Sequence, residues 1–162
     1  MITKNYTNCI VVRLQSKSYV PYVTYIGVND TKVVGIHDHE RGSLNYTLLE
    51  LQTFNSDVRR IRGYHSGRYV AVDVKGDIVT ETTPTTGSFW IERMEKNGWH
   101  TFRSFKMVEM ERKKPQTPNT REVWYLAVKR NKNMKKPKEA EPGMKSSQFL
   151  YYTIQGYDCK PQ

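Results

Sequence analysis

The stretch AVKRNKNMKKPKEAEPGMKSSQFL, residues 127–150, concentrates the charge that could do chemistry in this chain. Six Lys or Arg fall within the ten positions 129–138, followed by Glu139, Glu141, a Pro-Gly pair, Lys145 and a new apolar run. Cations this dense hold compact anions when a fold fixes their positions and the backbone N–H groups of a turn add direction. The whole chain carries 26 Lys and Arg against 16 Asp and Glu, a formal charge of +10. That balance favours polyanionic partners: nucleic acid, an anionic membrane surface or a sulfated glycan. Nucleic-acid binding also needs stacking aromatics between the cations, and residues 129–138 contain none.

Other reactive residue types form no catalytic set. His37 and His39 flank Asp38 and precede Glu40. On a strand, that spacing offers two ligands on one face and no third, so it reads as a solvated turn and no metal is expected. His65 and His100 lack a partnering Cys or carboxylate motif, and GSLNYT has the wrong spacing for a phosphate loop. The expectation is a protein that is not an enzyme and takes no cofactor.

Two cysteines, Cys9 and Cys159, lie near opposite ends. Two are too few for a disulfide-rich scaffold. They pair if the fold brings its termini together, as domains often do, or they remain free thiols on tails. Three triplets, NYT at Asn5, NDT at Asn29 and NYT at Asn45, are N-glycan acceptors if the chain enters the secretory route. The opening MITKNYTNCI has no long apolar run after its Lys and does not read as a signal peptide. A leader removed earlier, another export route and retention inside the cell are the three alternatives. No window is apolar enough to span a membrane.

The elements that must position these residues are strands. Tyr, Val, Thr, Trp and Phe are plentiful, and no stretch sustains a helical apolar period behind a good cap. Strand-like runs include YVPYVTYIGV, LNYTLLELQ, VRRIRGY, RYVAVDV, DIVTET, SFWIERME, HTFRSFK, WYLAVKR and SQFLYYTI, punctuated by ND, HSG, KGD, PTTG, KNG and PG. A weak repeat links YVTYIGVNDTKVV at 22–34, YVAVDVKGDIVTE at 69–81 and YLAVKRNKNMKKP at 125–137. Each copy is followed by a further apolar segment, TLLEL, FWIER or FLYYT. Three repeats of four short strands are the pattern of a β-trefoil. The reading is an all-β chain, with a single domain at 13–155 and flanking tails at 1–12 and 156–162.

Several motifs in order carry a resemblance. GYHSGRYVAVDVKGDIV, SFWIERMEKNGWHTFRS and WYLAVKRNKNMKKP…PGMKSSQFL resemble the fibroblast growth factors, as does NYTLLEL at 45–51. In that family a G-x-x-S/N-x-x-Y/F-L-A-M…G-x-L pair precedes C-x-F-x-E…N-x-Y-x-T-Y-x-S. Then come W-Y-V-A-L-x-K/R-x-G, a basic loop and a strand ending F-L-P. The likeness covers about 13–152. It implies a β-trefoil, in agreement with the repeat. It further implies a secreted signalling ligand that binds a receptor tyrosine kinase ectodomain, with heparan sulfate as co-receptor.

Carried onto this chain, the resemblance places heparan sulfate contacts at Lys129, Arg130, Lys135, Met144, Lys145 and Ser146, joined by Lys17 and Ser18. Receptor contacts fall at Glu92, Asn97, Trp99, Leu150 and Tyr152. The departures are specific. Ser88 replaces a usual Cys, Trp99 the Tyr of N-x-Y, Met144 a frequent Gln, and Tyr151 the Pro after Phe-Leu. An early receptor-facing Tyr falls near Gln15, and Glu139 and Glu141 dilute the basic loop. Two alternatives stand beside this reading. One is an intracellular homologue that binds a cytoplasmic partner such as a channel tail, which the sequons argue against. The other is a glycan- or nucleic-acid-binding trefoil without receptor activity, although the repeated Gln-x-Trp of sugar-binding trefoils is absent.

Overall fold

All three copies of the repeat fold as β-hairpins. In the computed structural model, which describes residues 6–17, 21–106 and 124–161, β3 (Thr24–Val28) pairs β4 (Val33–His37) with Val28 opposite Val33. The strand β7 (Tyr69–Val72) pairs β8 (Ile78–Glu81) with Val72 opposite Ile78. In the third copy Val128 bridges Met134. The polar turns between them are what short hairpin connections require.

The remaining strands form a ring. These are β1 (Asn8–Val12), β2 (Gln15–Ser16), β5 (Leu49–Thr53), β6 (Val58–Gly63), β9 (Trp90–Met94), β10 (His100–Ser104) and β11 (Phe149–Leu150). Their antiparallel neighbours run β1-β5-β6-β9-β10-β11-β2. Because β1 and β2 are successive parts of one stretch, this path closes on itself, and closure removes exposed sheet edges. The chain is a β-trefoil.

Inside the ring Leu14, Leu49, Ile61, Trp90, Phe102 and Phe149 are each 0% exposed. Trp90 satisfies its indole by donating to Val70 O at 3.1 Å, the partner a buried Trp needs. The N-terminal flank is part of this core: Asn8–Val12 pairs along all of β5, and Val12 is fully buried. Two runs read as strands behave otherwise. Leu44–Thr47 belongs to a 3-10 turn, Arg41–Thr47, in which Thr47 Oγ1 donates back to Leu44 O. Residues 124–130 make only isolated bridges, at Tyr125 and Val128. No described helix is long and apolar enough to cross a membrane.

The C-terminal tail is tied to the N-terminal strand. Ile154 N donates to Val11 O at 2.8 Å and Thr153 bridges Val12. Cys9 and Cys159 are disulfide-bonded across 150 residues, with Cα atoms 6.2 Å apart.

Candidate ligand-binding surfaces

The basic stretch folds as a hairpin followed by two tight turns. Lys135 N donates to Ala127 O at 3.0 Å, Lys129 N to Asn133 O at 2.9 Å, and Val128 N to Ser146 O at 3.0 Å. The last bond draws the 3-10 turn Lys145–Ser147 against the base of the hairpin. Lys129, Arg130 and Lys145 are exposed, and Ser146 is half-buried between them. Met144 contributes differently from an amide: its Sδ lies 3.4 Å from Lys135 Nζ. These six residues thus share one neighbourhood. Ser147 Oγ donates to Met144 O at 3.0 Å and to Glu141 O, which fixes the turn from below.

Lys132 is the exception in the basic run. The family motif ends in Gly at this position, and Lys132 has φ of +73°, a conformation that glycine adopts without penalty. Its Nζ donates to Glu40 Oε1 at 2.7 Å, while Glu40 Oε2 accepts from His37 N at 2.6 Å. Lys132 is thereby consumed in anchoring the hairpin. Its hydrogen bond is the chief reason that the Glu40 carboxyl is held below its usual range. The neighbouring imidazoles of His37 and His39 stack with ring centroids 5.6 Å apart. His37 Nδ1 sits 2.9 Å from Thr24 Oγ1, and Tyr22 lies against both His37 and His39.

A second surface lies around the β9–β10 turn. Glu95 N donates to Trp99 O at 2.8 Å, and Gly98 N to Glu95 O at 2.9 Å, with Gly98 at φ +85°. Trp99 follows, half-buried, its N–H held by Asn97 Oδ1 at 3.1 Å. Asn97 Nδ2 donates to Gln148 Oε1 at 3.1 Å, and Gln148 Nε2 to Pro142 O at 2.9 Å. This relay ties the receptor-side turn to the end of the basic loop. Leu150 is 38% exposed and Tyr152 65%, so neither closes the core. Met94, 66% exposed and opposite His100, is a further exposed apolar side chain at the end of β9. Sequence reasoning missed it, although its position on β9 two residues beyond Glu92 places it on the same face.

Glu92 is turned inward. Its side chain is 6% exposed and lies 2.8 Å from Arg59 Nε and 2.7 Å from His100 Nδ1. It also accepts from the Tyr151 hydroxyl. Burial pushes this carboxyl up, but the His100 and Tyr151 bonds and the Arg59 charge bring it below its ordinary value. His100 therefore does have a carboxylate partner, one that no local motif reveals. Tyr151 serves as a buried donor, and its phenol is pushed well above its usual value by burial and by Glu92.

Lys17 lies between the two surfaces. Its backbone N donates to Gln148 O at 2.9 Å, while its Nζ sits 5.3 Å from the Trp99 ring centroid. Ser18 and Asn5 lie outside the described residues. Asn29 Oδ1 accepts from Thr31 N at 2.9 Å and from Thr31 Oγ1 at 3.0 Å. Asn45 is exposed on its 3-10 turn, whereas Thr47 of the same triplet is buried and accepts from Arg13 Nε at 2.8 Å.

The family model for fibroblast growth factors matches residues 12–150. The chain belongs to the fibroblast growth factor family. It is 30% identical over 122 residues to fibroblast growth factor 2 of Xenopus laevis, covering 75% of this chain and 68% of that protein. It is 29% identical over 121 residues to the Rattus norvegicus protein of the same name, with the same two coverages of 75% and 68%. Against human fibroblast growth factor 2 the identity is 30% over 102 residues, 63% of this chain and 31% of that protein. This fibroblast growth factor is accordingly a growth-factor signalling ligand and not an enzyme.

Proposed function

We propose that this growth factor is secreted and binds the ectodomain of a fibroblast growth factor receptor tyrosine kinase, with heparan sulfate as co-receptor. The observation that carries the glycan half is the exposed cluster Lys129, Arg130 and Lys145 held against Ser146 by the bond from Val128 N to Ser146 O at 3.0 Å. Rigidly held cations bind a polysulfate with less ordering cost than a mobile charged tail. Lys135 and Lys17 add charge at its margins. Ser18 is a further contact of this proposal. Met144 supplies packing for Lys135 where a side-chain amide would supply a donor.

The receptor half rests on a different chemistry. Trp99, Leu150 and Tyr152, with Asn97 holding the turn, offer the aromatic and aliphatic anchors on which protein interfaces depend. Glu92 acts from behind, fixing His100 and Tyr151 beneath that surface. Secretion accords with the Cys9–Cys159 disulfide, since such bonds persist in oxidising compartments. It also accords with Asn5, Asn29 and Asn45 as N-glycan acceptors.

The test is binding of the purified protein to a receptor ectodomain, with and without heparin, across a salt series. Heparin-enhanced binding that weakens with salt is the expected result. Heparin binding with no receptor binding at any salt concentration would refute the ligand reading.

A further inference from the structure

The polar face of β1-β5-β6, opposite the barrel core, holds an arrangement that neither surface uses. Cys9, Gln52 and Arg60 stand opposite one another across these three strands, and Val11, Glu50 and Arg62 form the next row on the same face. The C-terminal tail covers this face, and Cys159 meets Cys9 there. Glu50 and Gln52 are 0% exposed. One Glu50 oxygen, Oε2, accepts from Arg62 Nη1 at 2.9 Å. The other, Oε1, is buried without a close side-chain partner, although the Lys160 backbone N–H also favours the carboxylate, and both amide atoms of Gln52 are buried with no hydrogen-bond partner. Buried polar groups are rarely left unpaired. Ligand atoms of Cys9, Cys159 and Glu50 all lie within 4.8 Å of one another, the one such group of three among the described residues.

We infer that reduction of the Cys9–Cys159 disulfide opens a site for a thiophilic divalent cation, Zn2+ in chemical class, ligated by Cys9, Cys159 and Glu50. In the oxidised protein the two sulfurs are bonded to each other and are not thiolate ligands. A dithiol reductant transfers two electrons and two protons, leaving two protein thiols and the reductant as its own disulfide. The cation then displaces both thiol protons to solvent and takes the two thiolates together with Glu50 Oε1. Two sulfurs and one oxygen suit a tetrahedral Zn2+ with one position left over, and thiolates select it over Mg2+ or Ca2+. Gln52, directly opposite Cys9 in the register, is buried on the same face with its amide unpartnered. The ligand set carries three negative charges against two positive, and Arg62 neutralises the remainder through Glu50 Oε2. Disulfide and metal are thus alternative clamps for one tail. Both cysteines are half-buried rather than sealed, so reductant and cation have access.

The experiment uses the full chain, reduced anaerobically with a phosphine and then cleared of it, and titrated with Co2+ as a spectroscopic probe. Thiolate-to-cobalt absorption that saturates at one equivalent, that Zn2+ abolishes and that the oxidised protein lacks is the expected result. Glu50→Gln should weaken Co2+ binding at least about tenfold. Absence of the band in the reduced protein, or equal affinity in Glu50→Gln, overturns the site. Alkylation of Cys9 and Cys159 in the reduced wild-type chain provides a readout without a buried substitution. Zn2+ should slow both reactions, and unchanged rates likewise overturn the site.

Discussion

Replacing Lys129 and Lys145 together by Ala tests the glycan surface against a built-in control. Both side chains are exposed, and the bond from Val128 N to Ser146 O brings their backbones together. Lys132 lies in the same run, but its ammonium is 2.7 Å from Glu40 Oε1. If binding releases counterions from the polysulfate, each lost contact flattens the slope of log affinity against log salt by about 0.7–0.9. The double substitution therefore flattens the slope by roughly 1.4–1.8. With exposed pairs contributing about 0.2–1 kcal/mol each, affinity should fall by roughly 0.4–2 kcal/mol, or about two- to thirtyfold. Lys132→Ala should change the slope by much less than one unit, because Glu40 already holds that charge. The assay is heparin affinity measured between low and physiological salt for the wild type and both variants. Flattening by Lys132→Ala that reaches half of that caused by the double substitution would refute the geometric reasoning, leaving total charge as the only variable.

Three further outcomes are expected. Trp99→Ala should weaken receptor binding by about 2 kcal/mol or more, as loss of an interface anchor does, with little change in Tm. Surface plasmon resonance beside a thermal melt separates the two effects, and unaltered receptor affinity removes Trp99 from the interface. Ser88→Ala leaves the Nε of Arg60, a residue 2% exposed and 2.9 Å from Ser88 Oγ, without its acceptor. The cost should be roughly 1–3 kcal/mol, read as a lower urea midpoint, and an unchanged midpoint would show that Arg60 finds another partner. Glu92 and Glu40 both have folded-state values below the ordinary carboxylate value. Their stabilisation is therefore present above that value and lost as pH falls through it into the acid range. Glu50, which burial pushes up, acts in the opposite sense, its cost growing as pH rises through the carboxylate range. Melts taken at descending pH should show the wild type losing stability below about pH 4.5 more steeply than Glu92→Gln, and parallel curves would contradict the assignment.

The strands and the hairpin repeat were legible because alternation and turn chemistry are local. YVAVDVKGDIVTE reads as two strands around a turn, and the structure pairs Val72 with Ile78 across it. The run NCIVV was equally apolar, yet its short length next to the chain start concealed a strand that pairs with all of β5. LNYT failed for a different reason: Thr47 satisfies its hydroxyl within its own turn, which competes with the ladder. The cationic surface was legible as charge, but not the removal of Lys132 from it, since Glu40 is 92 positions away. The only local trace was a Lys where the family motif has Gly. The Glu92 cluster was hidden in the same way, with Arg59 and Tyr151 33 and 59 positions distant.

Lys17 is the residue whose substitution distinguishes two separate surfaces from one continuous surface. Its ammonium stands 5.3 Å from the Trp99 ring centroid, and its backbone is bonded to Gln148 O. Gln148 in turn accepts from Asn97 and donates to Pro142 at the end of the basic loop. A cation over an aromatic face contributes about 0.5–1 kcal/mol at an exposed site. The same ammonium also adds to the field that attracts sulfate. Lys17→Ala should therefore lower heparin affinity modestly and, with heparin absent, also lower receptor affinity by roughly two- to fivefold, the equivalent of that cation–aromatic energy. Lys145→Ala, on the far side of the relay, should lower heparin affinity and leave heparin-free receptor binding intact. Receptor binding that responds equally to both substitutions would mean that charge alone couples the surfaces. Receptor binding that responds to neither would mean that Trp99 engages the receptor without Lys17.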